Sequence, residues 1–284
     1  MNTVRPWPSI VFIVLATLRA SSASEFSSYM RYVPVDESSG KLETSISVFE
    51  APGRPQVTLY AVVHIGDAAY YADLEKRFPK MDALLYEMIK DEETAPDTVS
   101  EDGRRSPISS LQLGMKNALD LEFQLEAIDY SAPNFRHADM DPKSFMKAQE
   151  EKGESILGLM IRASLIDSAR RSPADSIRDN LRLFAALANP QRSNALKLYL
   201  GEQMPELELT LAGFESPESG GSVLVNGRNA VAMEVLEEVA QEGAKRVGIF
   251  YGAAHMPDFE RRLRALGYEA TDRQWITAWD MTED

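Results

Sequence analysis

The stretch Val57-Thr58-Leu59-Tyr60-Ala61-Val62-Val63-His64-Ile65-Gly66-Asp67 decides how the chain is read. From Val57 to His64 it is apolar and rich in β-branched residues, and it follows the breaker segment Ala51-Pro52-Gly53, so it predicts a buried strand. The strand ends at His64. Ile65-Gly66-Asp67 turns the chain and offers Asp67 as the N-cap of a helix that runs through Tyr71 and Leu74 and stops before Pro79. Met81 to Glu87 is a second apolar run of strand length. Strand, helix and strand make a crossover unit whose second strand is expected parallel to the first.

The same arrangement recurs toward the C-terminus. Arg246 to Tyr251 reads as an apolar strand, Gly252-Ala253-Ala254-His255 as a small-residue turn, and Pro257 as the first position of a helix closed by Gly267. A further strand, Ala270 to Trp279, follows. In both units a histidine stands where a strand gives way to a helix, the edge at which open α/β sheets collect binding groups. Those two, His64 and His255, are among only 3 histidines in the chain.

Between the units, residues 106–211 read as a helical insertion or lid. Leu111, Met115, Ala118, Leu121, Leu125 and Ile128 form one apolar stripe, and Ile177, Leu181, Phe184 and Ala188 form another, both expected to face a core. Asp141-Pro142 and Ser172-Pro173 are N-cap and first-turn pairs, and Asn189-Pro190 ends a helix. Residues 91–106 read as an exposed loop and 216–222 as a turn or flap. The expected fold class is α/β (mixed α+β): one domain over residues 24–284, with a central mostly parallel sheet and flanking helices.

Composition narrows the function. The 284 residues are 44% apolar and 26% charged, with 44 Asp plus Glu against 30 Lys plus Arg, a formal charge of -14. Such a surface disfavours phosphate, so no nucleic-acid partner is expected. With 0 Cys there is no disulfide, thiolate nucleophile or Cys-ligated metal. The first residues carry Arg5, the aliphatic run Ile10 to Leu18 and the small residues Ala20-Ser21-Ser22-Ala23. This predicts a secretory signal cleaved after Ala23 and an exported protein, periplasmic or extracellular. Its apolar core is too short for a stable membrane span, which takes about 20 residues.

Glu87 ends an apolar strand, where a carboxylate is costly unless it is paired or solvated. Arg228, in Asn226-Gly227-Arg228-Asn229, opens a helix carrying Ala232, Val235, Leu236 and Val239. From spacing alone it reads as a surface arginine, but its permanent charge also suits a carboxylate or an oxyanion. His137 reads as structural, with a third imidazole ligand as the alternative. Asp139 reads as a helix cap rather than a metal ligand. There is no His-Glu-x-x-His, no Gly-x-Ser-x-Gly and no phosphate-cradling glycine loop.

The order Val62-Val63-His64-Ile65-Gly66-Asp67, then Tyr86-Glu87, then Gly227-Arg228-Asn229, then Gly252-Ala253-Ala254-His255 resembles the TraB/GumN/TIKI superfamily, whose relatives include the erythromycin esterase and ChaN-like proteins. That family is marked by two Gly-x-x-His motifs bracketing a glutamate and an arginine. The resemblance spans Val57 to Trp279, and Phe135-Arg136-His137-Ala138-Asp139-Met140 resembles the family's short central strand ending in Ala-Asp. The first motif departs from the pattern, with Ala61 in place of glycine. The resemblance implies a mixed α/β fold with its site on one sheet edge. It also implies, for some members, a hydrolase or metallopeptidase using a divalent ion such as manganese or cobalt, with zinc a third candidate. Other members are metal-independent esterases, haem-iron binders or regulators of peptide signals. On this reading His64 and His255 hold a metal or polarise a carbonyl, Glu87 is the base and a metal ligand, and Arg228 stabilises the oxyanion. The substrate is a peptide or small ester. The alternative is a noncatalytic protein that sequesters a peptide, metal or haem in the same cleft.

Overall fold

The computed structural model describes residues 28–36, 38–89, 119–154, 172–213 and 221–282. The expected export signal, the loop at 91–106, the stripe members Leu111, Met115 and Ala118 and most of the 216–222 turn lie outside the described residues. In chain order the elements are β1 (Met30–Pro34), β2 (Gly40–Glu50), β3 (Gln56–Val62), β4 (Ile65–Gly66), α1 (Ala68–Arg77), β5 (Ala83–Tyr86), β6 (Glu122–Phe123) and α2 (Gln124–Ala127). Then come β7 (Phe135–His137), α3 (Pro142–Lys152), α4 (Pro173–Ala188), α5 (Arg192–Gly201), α6 (Met204–Gly213), α7 (Arg228–Gln241), β8 (Arg246–Gly252), α8 (Met256–Ala265) and β9 (Glu269–Asp280).

The fold is mixed α/β, built on a 7-stranded sheet in the order β1-β2-β3-β8-β5-β7, with β9 also on β2. Strands β3, β8, β5 and β7 run parallel. β8 lies between β3 and β5, so the first crossover unit is parallel as read, with the last crossover's strand inserted between its two. Burial on both faces explains the near-continuous apolar runs: Leu59, Leu84, Leu85, Ile249 and Phe250 are all fully buried. β2 is antiparallel to all its neighbours. β1 pairs with Gly40–Thr44 and β3 with Ile46–Phe49, while β9 pairs with residues from Lys41 to Glu50. β1 and β3 therefore share one edge of β2, and β9 takes the other.

Gly248 sits mid-strand in β8, and a Cβ there would lie 3.1 Å from Tyr60 Cε2 and 3.2 Å from Met81 Cγ, besides meeting Leu84. Gly248→Ala is expected to cost about 1–3 kcal/mol by overpacking. Urea unfolding checks this, and an unchanged midpoint would mean that these side chains yield freely.

Three local expectations are corrected. Asp67 occupies the N-cap position of α1 but makes no side-chain cap bond; its carboxylate instead accepts from Lys197 Nζ at 3.0 Å and from the Asp280 N–H at 2.5 Å. The stripe through Leu121, Leu125 and Ile128 is not one helix. β6 pairs with β4, and the Gln124 N–H donates to the His64 carbonyl at 3.0 Å, which draws this backbone out of helical winding. Leu121 and Ile128 are buried, whereas Leu125 is 57% exposed. Finally, α4 forms with the expected Ser172 cap, closed by Asp175, yet Ile177, Leu181 and Phe184 stand exposed. Among the described residues α4 packs on α5 through its other side, which buries Ala186.

Candidate functional site

The parallel strands deliver their C-terminal ends to one edge, as an open α/β sheet must. His64 follows β3 by two residues, Glu87 follows β5 by one and Asp139 follows β7 by two, while Gly252 closes β8 and leads through a tight turn to His255. α7 brings Arg228 to the same place. A single turn of wide π-type winding, Val223–Gly227, precedes it, with the Ser222 side chain accepting from the Val225 N–H. The four groups read from the sequence thus meet. His64 Nε2, Glu87 Oε2 and His255 Cδ2 lie 3.5, 3.4 and 3.8 Å from the point a Cβ would occupy on Gly252. The missing side chain leaves that point open. Glycine matters in this second motif for that reason, whereas Ala61 of the first motif lies inside β3, fully buried.

Arg228 is the hub of the cluster. Its Nε and Nη2 donate to Asp139 at 2.8 and 2.5 Å, and Nη2 also reaches Glu87 Oε1 at 2.8 Å. The other Glu87 oxygen accepts from the Gly252 N–H at 2.8 Å. His255 Nε2 stands 3.5 Å from Glu87 Oε1. Burial opposes ionisation of Glu87, but the His255 ring, the Arg228 guanidinium, the His64 ring and the Gly252 N–H hold its pKa well below the ordinary carboxylate range. Burial, with Arg228 adding to it and Glu87 opposing, lowers His255 to about 4, so this imidazole is neutral at pH 7. The lasting positive charge beside Glu87 is therefore that of Arg228. Burial alone would lower Arg228; the Asp139 and Glu87 carboxylates overcome it and raise its pKa above the usual value. One guanidinium faces two carboxylates, leaving an excess of one negative charge in a dry floor.

Each ring of the pair meets an amide. His255 Nδ1 lies 2.6 Å from Asn229 Oδ1, and His64 Nδ1 lies 3.0 Å from Gln124 Oε1. The two Nε2 atoms face Glu87 and the cleft. His255 is buried and His64 exposed.

Above this floor opens a cleft of about 270 Å³. Its walls are mainly apolar, from Met30, Val62, Met204, Leu207, Leu224 and Val225, and Glu208 of α6 also reaches it. Glu208 is buried and accepts the Tyr29 N–H at 2.9 Å, the Met30 N–H at 3.0 Å and the Ser28 hydroxyl at 3.0 Å. Burial outweighs these donors and raises its pKa to about 7.

Two sequence readings change. Asp139 is not a helix cap, a place taken by Asp141, whose side chain accepts from the Lys143 and Ser144 N–H groups; it clamps Arg228. Arg228 is not a surface arginine but 6% exposed. The His137 Nε2 donates to the Met88 carbonyl at 2.6 Å. Gln124, Asn229 and Glu208 were not singled out. Asn229 had one signal, its position beside Arg228, while Gln124 and Glu208 had none.

Among the described residues no group of three or more His, Asp or Glu side chains is spaced to hold a metal ion, and no helix is long and apolar enough to cross a membrane. Neither a protein-family profile, nor a curated protein, nor a solved structure matches the chain.

Proposed function

We propose that the cleft is a hydrolytic site of the TraB/GumN/TIKI type, cleaving the acyl bond of a peptide or small ester by an activated water. The observation that carries this reading is the convergence of two imidazoles and an ionised carboxylate on one open point over a buried guanidinium. Perturbed, mutually coupled groups in a cleft are the physical mark of a reactive site.

Glu87 has both oxygens engaged by donors and a strongly depressed pKa, so it is a weak proton acceptor. An imidazole Nε2 is the better base, and Glu87 stabilises the imidazolium that forms. Water attacks the carbonyl carbon and gives its proton to that nitrogen. The tetrahedral oxyanion then collapses, the C–N or C–O bond breaks, and the proton passes to the leaving group. Arg228 has Nε and Nη2 committed to carboxylates, and its Nη1, 3.5 Å from the Leu224 carbonyl, is the donor left for an oxyanion. The apolar wall takes an uncharged side group of the substrate.

The resemblance also implies a divalent ion. The donors suit one in kind, two imidazoles and a carboxylate with an amide oxygen behind each ring over a floor of excess negative charge, but not in spacing: His255 turns a ring carbon to the point that His64 Nε2 and Glu87 share, and both Glu87 oxygens are already bonded. To hold it, His64, Glu87 and His255 would have to draw together from their present spacing, with Glu87 exchanging a donor for the ion, which when bound would polarise a carbonyl or lower the pKa of a water.

The test uses the chain from residue 24 to 284, a panel of peptides and small esters, and added manganese, cobalt, zinc or chelator. Turnover is expected, falling at least about a hundredfold in His255→Ala and His64→Ala proteins that remain folded by circular dichroism. Absence of turnover under every condition, or undiminished turnover in both variants, overturns the reading. Stoichiometric capture without product would instead establish a sequestering protein.

A further inference from the structure

We infer that two buried amides, Gln124 and Asn229, are positioning residues that lock both cleft imidazoles in the Nδ1–H tautomer, so that both Nε2 lone pairs are presented to the Glu87 side of the cleft. The inference deepens the hydrolytic reading and rests on it for its meaning, but not for its test.

Asn229 is fully buried. Its Nδ2 donates to the His255 carbonyl at 3.1 Å and to Asp258 Oδ2 at 3.0 Å. Both are acceptors, so the amide cannot be flipped without setting its oxygen against two oxygens. The Oδ1 atom is thereby fixed toward His255 Nδ1, and an amide oxygen can only accept. The proton must then sit on Nδ1, and Nε2 carries the lone pair. Asp258 is in turn held by Arg261 and by Arg262 Nε at 2.6 Å, so the orientation of Asn229 is braced from outside the cleft.

At His64 the pairing recurs with unrelated residues, but the group behind the amide is a hydroxyl that can donate or accept, so here the Gln124 substitutions below decide the orientation. Gln124 is 3% exposed; its Nε2 donates to the Tyr130 hydroxyl at 3.0 Å while its Oε1 faces His64 Nδ1. The Gln124 N–H donating to the His64 carbonyl ties the same residue to the same histidine through the backbone. That bond is also what breaks the predicted helical stripe, so the local irregularity delivers the amide. Two amides on separate elements, each turning an Nε2 toward Glu87, make a lone-pair pocket with which a water proton or another electron-pair acceptor can be held.

His137 serves as an internal control. Its Nε2 faces a carbonyl oxygen, so its proton must be on Nε2, the opposite tautomer. With only 3 histidines in the chain, two-bond proton–nitrogen spectra of uniformly nitrogen-15-labelled, chelator-treated protein resolve every ring. The expected result at neutral pH is the Nδ1–H pattern for His64 and His255 and the Nε2–H pattern for His137. Gln124→Leu is expected to release His64 to a mixture of tautomers, and Gln124→Glu, which keeps an acceptor, to preserve it; His255 stays unchanged in both. An Nε2–H pattern at His64 or His255 in the unsubstituted protein overturns the inference, as does a His64 tautomer indifferent to Gln124→Leu. Since no substrate is added, these outcomes are independent of whether the cleft turns anything over.

Discussion

Replacing Arg228 by methionine is expected to destabilise the protein by about 3–5 kcal/mol, because it strands two buried carboxylates that share one cation. In the native site Asp139 and Glu87 both bond to Arg228, and the Asp139 side chain has no exposure at all. Methionine fills much of the volume, so little of the loss is a cavity. The melting temperature should fall on the order of 10 °C. The sign of the pH dependence separates this cause from misfolding. With the guanidinium gone, burial is left opposing the charge of the carboxylates it had paired, so the deficit relative to the unsubstituted protein is greatest at neutral pH and shrinks on acidification. A deficit that stays constant between pH 7 and pH 5 would show that Arg228 contributes packing rather than charge.

The second large effect is one that the native protein conceals. His255 is lowered to about 4 from an unfolded value near 6.5, so its contribution is fully present above that value and is lost as pH falls toward 4. Glu208 is raised to about 7 from an unfolded value near 4.5, so its contribution is present below that value and is lost as pH rises through 7. Each spans about 3 kcal/mol. Over their shared window, roughly pH 4.5 to 6.5, the two slopes oppose each other and nearly cancel. Chelator-treated protein should therefore show a flat stability there in denaturant titrations. Glu208→Gln, whatever its absolute cost, should lose about 3 kcal/mol between pH 6.5 and 4 as the His255 slope is exposed. Parallel curves for the two proteins would refute the opposition.

What the sequence disclosed, and what it withheld, follows from the range of the interactions. Val57 to His64 and Arg246 to His255 were legible because a strand buried on both faces must be apolar throughout, and because each turn is written in small residues and proline. The histidines and Glu87 were legible as polar groups where an apolar run ends. The placement of β8 between β3 and β5 was not, since its pairing joins residues nearly two hundred positions apart. Nor was Asp139 as the clamp on Arg228: a buried ion pair leaves no periodicity, and the sequence offers a cap as an equally good explanation. Gln124 was hidden by its own helical spacing. Leu121, Leu125 and Ile128 match a stripe, but backbone bonds to the β3–α1 turn outweigh that preference, and only coordinates show them. The exposed Ile177, Leu181 and Phe184 on α4 carry the same lesson, for periodicity identifies a helix more surely than it identifies which side is covered.

The way β2 is bordered has a consequence for biosynthesis. One of its edges is satisfied early by β1 and β3, but the other waits for β9, which ends at Asp280. A ribosome delivers that partner more than two hundred residues after β2, and it delivers β8, with the second imidazole, only shortly before. Growing chains therefore carry an idle row of peptide groups and no assembled cleft for most of translation. Prematurely terminated products have nothing partial to offer: they lack chemistry and closure together, and the quality-control machinery meets them as sticky fragments.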